Sequence, residues 1–251
     1  MLQRIKSKLY TVLLCSGSFY FKDRLSKVIY YHDIHSSEED KYSEMSTPIA
    51  LFIQHLNIIK SMGFEVVREI TAPANQIQIN FDDGFRGVFE HKELLISHNV
   101  FPTLFMITSQ VGEPNYLTWA ELKDLDEKGF NIQSHTHLHK DLNTLNEEQL
   151  FCELSISKQL LESNLQNEIT EICFPKGLFN DLVLEVCAKV GYKKWYCSIP
   201  GNDKDYFEYK ELKFRNLVQF AIPLDFRNII LGGLQIFKSR YSKQHYGKKI
   251  T

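Results

Sequence analysis

Short apolar runs rich in Val, Ile, Phe and Tyr alternate along the chain with segments of helical hydrophobic spacing. The runs that predict strands are Lys27–His32, Phe64–Arg68, Ile77–Phe81, Thr103–Ile107, Phe130–Ser134, Glu171–Phe174, Lys194–Ser198 and Lys213–Val218. The helical segments are Pro48–Met62, Phe85–His98, Thr118–Lys128, Glu147–Leu165, Asp181–Val190 and Phe226–Arg240. Strands that alternate with helices are typical of a parallel sheet with right-handed crossovers. The sequence therefore predicts an α/β fold, and seven or eight such units fit a barrel.

The composition excludes several classes of protein. Hydrophobic residues make up 43% of the 251 residues and charged residues 24%, which is typical of a globular chain and not of a disordered or fibrous one. Lys and Arg number 29 and Asp and Glu 31, a net charge of −2, so no global positive field predicts nucleic-acid binding. No apolar run reaches the ~18 residues that a membrane-spanning helix needs.

Residues 1–25 differ from the remainder, 26–251, which is expected to form a single domain because no repeat or flexible linker divides it. Arg4, Lys6 and Lys8 precede an apolar stretch, as in a weak secretory signal, but no cleavage site of small residues follows. Apolar residues at helical spacing favour instead an amphipathic helix that packs on the domain or rests on a membrane surface. These residues are Leu2, Ile5, Leu9, Val12 and Leu13.

Two carboxylates, Asp82 and Asp83, follow the predicted strand Ile77–Phe81, and Gly84 comes next. Adjacent side chains near a strand end point in different directions. One carboxylate could therefore bind a metal while the other faces a substrate or a water molecule. Taken alone, the motif is explained better as an Asp-Asp-Gly turn that caps a helix.

Three of the 9 histidines lie within five residues, directly after the predicted strand Phe130–Ser134. His135 and His139 are four residues apart, so one helical turn would place both imidazoles on one face, as two ligands of a divalent metal. His137 would point elsewhere, and Asp141 could orient an imidazole. The alternative is a solvated His-rich loop, but this clustering favours metal binding.

The two motifs together predict one metal site. One Asp and two His leave coordination positions open, as a hydrolytic metal requires. Zinc lowers the pKa of a bound water to ~7. The second Asp could then act as a general base on that water.

The same two stretches resemble a known family. INFDDGF is similar to the first motif of the NodB-homology polysaccharide deacetylases, carbohydrate esterase family 4, and SHTHLHKDL resembles their second motif, H-[ST]-x-x-H. The resemblance implies a distorted (β/α)7 barrel, NodB-like, and removal of an N-acetyl group from an amino sugar. It also implies that Asp82 is the catalytic base and that Asp83, His135 and His139 bind one divalent metal ion, for which Zn2+ is the first expectation.

The stretch CFPKG, residues 173–177, lies where the third motif of the family, R-x-P-Y, would lie. Cys173 stands at the Arg position and Lys176 at the Tyr position. In the family the backbone N–H at that Tyr helps to bind the oxyanion, and a backbone donor survives substitution, so Lys176 is expected to serve. The missing Arg normally holds the base Asp. Arg215 could replace it, although a surface position is the simpler expectation for Arg215.

The last motif of the family, L-x-H, is absent from its usual place, because no histidine lies between His139 and His245. Tyr31-His32-Asp33 instead resembles the Y-H-[DE] opening of the circularly permuted subgroup that deacetylates poly-N-acetylglucosamine. This resemblance implies that His32 is the general acid that protonates the leaving amine. A capping or buried histidine is the alternative.

Aromatic residues offer weaker signals. Trp119 and Trp195 could stack on a sugar ring, but a core role is more typical of tryptophan. Tyr206, Phe207 and Tyr209 lie in a polar segment, residues 201–210, that could face a substrate.

The sequence thus predicts a metal-dependent hydrolase that removes N-acetyl groups from an amino sugar or polysaccharide. The alternative is a catalytically impaired glycan-binding protein on the same fold. A phosphoesterase ranks last, because it often needs two metals and only one three-ligand set is evident. The expected partner is a carbohydrate, either an N-acetylated glycan or a lipid-linked sugar, with peripheral membrane contact through the first helix. An odd set of 5 cysteines without a C-x-x-C pair favours the cytoplasm or the inner face of the membrane, with export as the alternative.

Overall fold

The computed structural model describes residues 2–204 and 210–247. The strands in these residues are β1 (Lys27–Tyr31), β2 (Asp33–His35), β3 (Ser46–Pro48), β4 (Glu65–Val67), β5 (Gln76–Phe81), β6 (Thr103–Met106), β7 (Asn131–Ser134), β8 (Glu171–Cys173), β9 (Lys194–Tyr196), β10 (Leu212–Lys213) and β11 (Arg215–Leu217). The α-helices are α1 (Leu2–Phe21), α2 (Ile49–Ser61), α3 (Gly87–Glu90), α4 (Lys92–Ser97), α5 (Trp119–Glu127), α6 (Glu147–Leu165), α7 (Asp181–Val190), α8 (Pro223–Ile230) and α9 (Lys238–His245). Four 3-10 helices add Thr108–Gln110, Leu142–Thr144, Pro175–Gly177 and Gly233–Phe237.

The main sheet is parallel and almost closes on itself. Its order is β10-β9-β8-β7-β6-β5-β1-β11, with β4 paired to β5. Phe214 alone separates β10, at one end of this order, from β11 at the other. Because one residue joins the two ends, the sheet wraps into a nearly closed barrel. The predicted α/β barrel-like fold is confirmed.

Strand β5 shows how the barrel separates its two faces. Ile77, Ile79 and Phe81 belong to the main hydrophobic core beneath the helices. Gln78 and Asn80 alternate with them and are buried on the opposite face, as the two-residue period of a strand requires. The barrel interior therefore contains polar side chains beside a small apolar cluster of Val28, Phe105, Cys173 and Tyr196. Asp82 continues the inward register at the end of the strand.

Two predicted helices differ from the structure. The segment expected to be helical over Phe85–His98 is divided into α3 and α4 at His91, whose φ of −110° is not helical. The segment expected over Phe226–Arg240 begins earlier, as α8, and is interrupted by Gly232 at φ +86°. Gly233 allows α1 to approach closely, because a Cβ at this position would lie 2.7 Å from the carbonyl oxygen of Leu14.

Helix α1 packs on this glycine break. Leu14 is fully buried, and the Ser18 hydroxyl donates to Oδ1 of Asn228 at 2.8 Å. The ring of Tyr10 stacks on that of Phe237. Helix α1 therefore docks on α8 and the 3-10 helix Gly233–Phe237. No helix among the described residues is long and apolar enough to cross a bilayer.

The buried His55 is expected to make the stability depend on pH. Its Nδ1 accepts from the Tyr31 hydroxyl, its Nε2–H donates to the carbonyl of Ala221, and its ring stacks on Phe226 at 3.9 Å. Burial lowers the pKa of His55 to about 4. Between about pH 6.5 and 4, His55 thus binds more protons in the unfolded chain than in the folded one, so its contribution to the free energy of unfolding falls as the pH falls.

Denaturant titrations across this window measure the effect. His55→Gln is expected to remove this contribution, so that between about pH 6.5 and 4 the variant loses about 1–3 kcal/mol less stability than the wild type, and His98→Gln, at an exposed histidine, should behave like the wild type. An unaltered pH dependence in the His55 variant would contradict this assignment.

Candidate active site

Polar side chains from five strands meet at the carboxyl edge of the barrel, where the ends of parallel strands converge. His32 follows β1, Asp82 and Asp83 follow β5, His135 follows β7, Cys173 ends β8, and Arg215 reaches in from β11. The turn after β5 directs the two carboxylates apart. Asp83 has a φ of +71° and Gly84 a φ of +85°, and a Cβ on Gly84 would lie 2.2 Å from Cε of Met106. A side chain here would be strained by the positive φ and would displace the Met106 side chain, so glycine is favoured at this position.

The three predicted ligands lie together. Oδ1 of Asp83 is 3.3 Å from Nε2 of His135 and 3.6 Å from Nε2 of His139. One ligand atom from each residue lies within 4.8 Å of the other two. One carboxylate oxygen and two imidazole nitrogens match the donor set of a divalent metal such as zinc, and three protein ligands leave room for water or substrate. These residues therefore fit a metal ion.

The predicted helical turn between His135 and His139 was wrong. His135 and His139 do not share a helical turn, because the segment between them is a loop in which Thr136 and His139 have φ values of +68° and +56°. The loop folds the second imidazole back towards the first, with ring centroids 4.9 Å apart. His137 points elsewhere, as predicted, and its Nδ1 contacts the Thr108 hydroxyl.

A backbone carbonyl orients His135. Its Nδ1–H donates to the carbonyl oxygen of Cys173 at 2.8 Å, which leaves the Nε2 lone pair free for a metal. Asp141, which the sequence suggested for this task, instead accepts from Nζ of Lys176 at 2.7 Å. Burial lowers the pKa of His139 to about 4. His139 is therefore neutral near pH 7, as a metal ligand must be.

Arg215 holds Asp82 with two parallel hydrogen bonds. Nη1 donates to Oδ1 at 2.7 Å and Nη2 to Oδ2 at 2.8 Å. The guanidinium lies over the ring of Tyr30, 4.2 Å from its centroid. The expectation that Arg215 is a surface residue was wrong, since it is 1% exposed. Strand β11 follows the closure of the barrel and directs this side chain into the interior.

The electrostatics keep Asp82 ionised. Burial alone would raise the pKa of this carboxyl, but the charge and hydrogen bonds of Arg215 outweigh burial and lower the pKa to about 2. Asp82 is thus a carboxylate throughout the physiological range. Oδ1, which accepts from Nη1 of Arg215, keeps a second lone pair that could accept a proton.

Cys173 occupies the space beside this ion pair. Its Sγ accepts from Nη2 of Arg215 at 2.8 Å and lies 3.6 Å from Oδ2 of Asp82. Asp82, His135 and Cys173 form a second cluster of potential ligand atoms. The guanidinium already neutralises this cluster and would repel a cation. Burial also raises the pKa of the thiol, so the Asp83 cluster is the better metal site.

His32 faces the two carboxylates and is held by a residue that the sequence analysis missed. Its Nδ1–H donates to Oε1 of Gln219 at 2.5 Å, and its charge contributes to lowering the pKa of both Asp82 and Asp83. Gln219 is 1% exposed and lies just beyond β11. No sequence signal identified Gln219, because its contact with His32 spans 187 residues.

Lys176 lies in a strained turn beside the cluster. Its φ is +54° within the 3-10 helix Pro175–Gly177. The following Gly177 has a φ of +69°, and a Cβ there would lie 2.5 Å from Cβ of Ser198. The side chain is exposed, so any contribution to the site comes from the backbone or from the ion pair with Asp141.

An aromatic pair that was not predicted borders the cluster. Phe85 and Tyr116 stack with ring centroids 4.8 Å apart, and the charge of Asp83 contributes, after burial, to raising the pKa of Tyr116. Trp195 is buried in the main hydrophobic core, and the half-buried Trp119 packs against the same core. The predicted aromatic segment, Tyr206, Phe207 and Tyr209, lies outside the described residues.

Comparisons with known proteins bear on the family and the fold of this chain. A family model described as polysaccharide deacetylase matches residues 69–195, which include Asp82, Asp83, His135, His139 and Lys176. YxkH of Bacillus subtilis (strain 168), whose name describes it as a polysaccharide deacetylase, is 26% identical over 185 residues, which are 69% of this chain and 64% of that protein. The poly-beta-1,6-N-acetyl-D-glucosamine N-deacetylase of Staphylococcus aureus (strain MRSA252) is 29% identical over 154 residues, 54% of this chain and 53% of that protein.

This chain therefore spans between half and two thirds of the length of these relatives. Among solved structures, the polysaccharide deacetylase BC0361 from Bacillus cereus superposes with a TM-score of 0.71 at 23% identity, over 82% of this chain and 69% of that chain. This likeness shows that the two proteins share a fold.

Proposed function

The chain belongs to the polysaccharide deacetylase family, and on that premise we propose that it hydrolyses the N-acetyl group of an amino sugar within a glycan. The observation that carries the proposal is the cluster of Asp83, His135 and His139 beside the buried carboxylate of Asp82. The Staphylococcus aureus relative is named as an N-deacetylase of a poly-N-acetylglucosamine. That name supports an N-acetylated glucosamine polymer as the class of substrate.

Asp83, His135 and His139 would hold one divalent metal ion, for which zinc suits the donor set best. When bound, such an ion lowers the pKa of water and polarises a carbonyl group. The hydrogen bond from His135 to the carbonyl of Cys173 keeps the ligating nitrogen directed at the cluster. The three ligands come from two strand ends and one loop, so the barrel positions the site before substrate binds.

Asp82 takes the proton from the water that attacks the acetyl carbon. Arg215 supports this role in two ways, because it fixes the orientation of the carboxylate and keeps it ionised. The backbone N–H of Lys176 is the expected donor to the oxyanion, since a backbone donor does not depend on the side chain.

His32 donates a proton to the departing amine. Its Nδ1–H is engaged by Gln219, so Nε2 is the nitrogen that would carry the transferred proton. A general acid of this kind typically contributes a factor of about 10²–10⁴ to the rate. The products are acetate and a free amino sugar.

Metal content and acetate release test the proposal together. After zinc loading, the wild-type chain is expected to retain about one metal ion and to release acetate from N-acetylglucosamine oligomers. His135→Ala/His139→Ala should lose both the metal and the activity. His137→Ala alters a histidine of the same loop that points away from the cluster and should retain both.

A folded wild-type chain that binds no metal would contradict the proposal and favour a glycan-binding protein. Metal retention by the double variant would show that other residues hold the ion.

A further inference from the structure

The charged residues of this chain are segregated along the sequence. Residues 1–22 and 226–251 contain ten of the 29 Lys and Arg residues and none of the 31 Asp and Glu residues. In the fold, α1 packs on α8 and on the 3-10 helix Gly233–Phe237, which also contacts α9. The described parts of the two basic segments thus pack together, and residues 2–22 and 223–247 are here called the basic lobe, in which Asp225 of α8 is the one acidic residue. The rest of the chain has a large excess of acidic residues.

Five basic side chains of the lobe are exposed and could contact a partner. Lys8, Lys22, Arg227, Arg240 and Lys243 are exposed. None of them takes part in an ion pair within residues 2–204 and 210–247. Elsewhere the exposed lysines often pair with carboxylates, as Lys189 does with Glu147.

Helix α1 also has an apolar face that the domain does not cover. Its inner face docks through Leu14 and Ser18. On the opposite face Leu9, Val12 and Phe19 are 58%, 59% and 75% exposed, at the spacing of one helical stripe. In the sequence, Leu2 and Ile5 extend the same spacing. Of the stripe predicted from the sequence, Leu9 and Val12 therefore do not pack on the domain, whereas Leu13 is half-buried.

This apolar surface continues towards the candidate active site. Tyr10 of α1 lines a groove with the segment Leu217–Ile222. In and just beyond that segment, Leu217, Phe220, Ile222 and Leu224 are exposed, and Gln219 between them holds His32. One end of the exposed apolar surface thus borders the residue proposed as the general acid.

We propose that the basic lobe binds the surface of an anionic lipid bilayer, with the outer face of α1 at the boundary between headgroups and acyl chains. An exposed apolar stripe on a helix, together with exposed basic residues of the same lobe, is the combination that favours binding of a helix in the plane of a membrane. Anionic lipids attract the lobe and repel the acidic remainder of the chain, so the charge segregation also orients the protein. A polyanion would not require the apolar stripe, and a second copy of this chain would not require the positive charge. The proposal does not depend on the proposed catalytic function.

Vesicle flotation with the full chain tests this binding. Wild-type protein is expected to float with vesicles of phosphatidylcholine and phosphatidylglycerol, to bind pure phosphatidylcholine far less, and to dissociate as salt is raised. Leu9→Ser/Val12→Ser/Phe19→Ser should weaken partitioning into the vesicles about tenfold or more, because it removes three apolar side chains that would enter the bilayer. Lys8→Gln/Lys22→Gln/Arg227→Gln should weaken it by a similar factor on anionic vesicles.

Matched control variants test whether vesicle binding depends on the basic lobe or on any exposed apolar or basic residue. Phe151→Ser/Ile156→Ser alters two exposed apolar residues of α6, and Lys60→Gln/Lys123→Gln removes two exposed lysines elsewhere. Both control variants should bind vesicles like the wild type, and all variants should keep the wild-type melting temperature.

Failure of the wild type to float with anionic vesicles would overturn the proposal, as would equal binding by the triple serine variant. If the wild type instead formed a dimer that the serine variant lost, without vesicle binding, the face would be a contact between copies.

Discussion

Asp82→Asn is expected to lower acetate release by about 10²–10⁴ while the metal content stays at the wild-type level. The amide has the shape of the carboxylate but cannot accept a proton as a base. Asp82 is 3% exposed and directs both oxygens at Arg215, so the variant also leaves a buried guanidinium without its anion. Breaking a buried ion pair costs about 3–5 kcal/mol of stability. Activity must therefore be measured below the melting temperature of the variant.

Asp83→Asn is the matched control. It changes the neighbouring carboxylate, whose Oδ1 lies 3.3 Å from Nε2 of His135, and should lower both metal binding and acetate release. The two substitutions are chemically identical, so only the position differs. Normal acetate release by folded Asp82→Asn would remove this residue from the proposed mechanism.

Arg215→Met is expected to be the second most damaging change. Methionine keeps much of the length of the side chain but not its charge, so burial then dominates and the pKa of Asp82 rises from about 2. A protonated Asp82 is not a base, and the acid limb of kcat/KM should move to higher pH. At neutral pH the variant should lose about 3 kcal/mol of stability, because the carboxylate is left buried without its partner. In the wild type this contribution is present above the ordinary carboxyl pKa and is lost as the pH falls towards 2.

The pH dependence of kcat/KM, together with denaturant titrations at several pH values, measures both effects. Cys173→Arg in the Arg215→Met background tests whether the charge can come from β8, where the family motif carries its arginine. We expect partial recovery of the acid limb, since Sγ of Cys173 already lies 3.6 Å from Oδ2 of Asp82. Cys173→Ser, which adds no charge, is the control. An acid limb unchanged in Arg215→Met would show that Arg215 does not tune the base.

Much of the site was predictable from two short stretches. Asp82 and Asp83 after one strand, and His135 and His139 after another, are neighbours because parallel strands end at the same edge of the sheet. Strand positions and side-chain chemistry predict a site of one Asp and two His at this edge, and the family resemblance implies which Asp is the ligand and which is the base. The local path of the chain was less predictable. The two histidines meet through a loop with left-handed residues and not through a helical turn, because spacing alone does not distinguish these backbones.

The contacts across the barrel could not be predicted. Arg215 and Asp82 are 133 residues apart, and a lone arginine in a short strand carries no signal of which face it occupies. Its burial depends on the closure of the sheet at Phe214, which is a property of the whole barrel. The contact between His32 and Gln219 has the same origin, since β1 and β11 are neighbours only after closure.

The sequence by itself determined the α/β class, the strand ends that carry the chemistry and the donor set for a metal, because hydrophobic periodicity and residue type are local properties. The tertiary structure alone decided that Arg215 holds Asp82, that a carbonyl rather than Asp141 orients His135, and that Leu9, Val12 and Phe19 of α1 face outwards. Each of these depends on which distant segments pack together. Packing of this kind minimises the free energy of the whole chain, and no single segment contains that information.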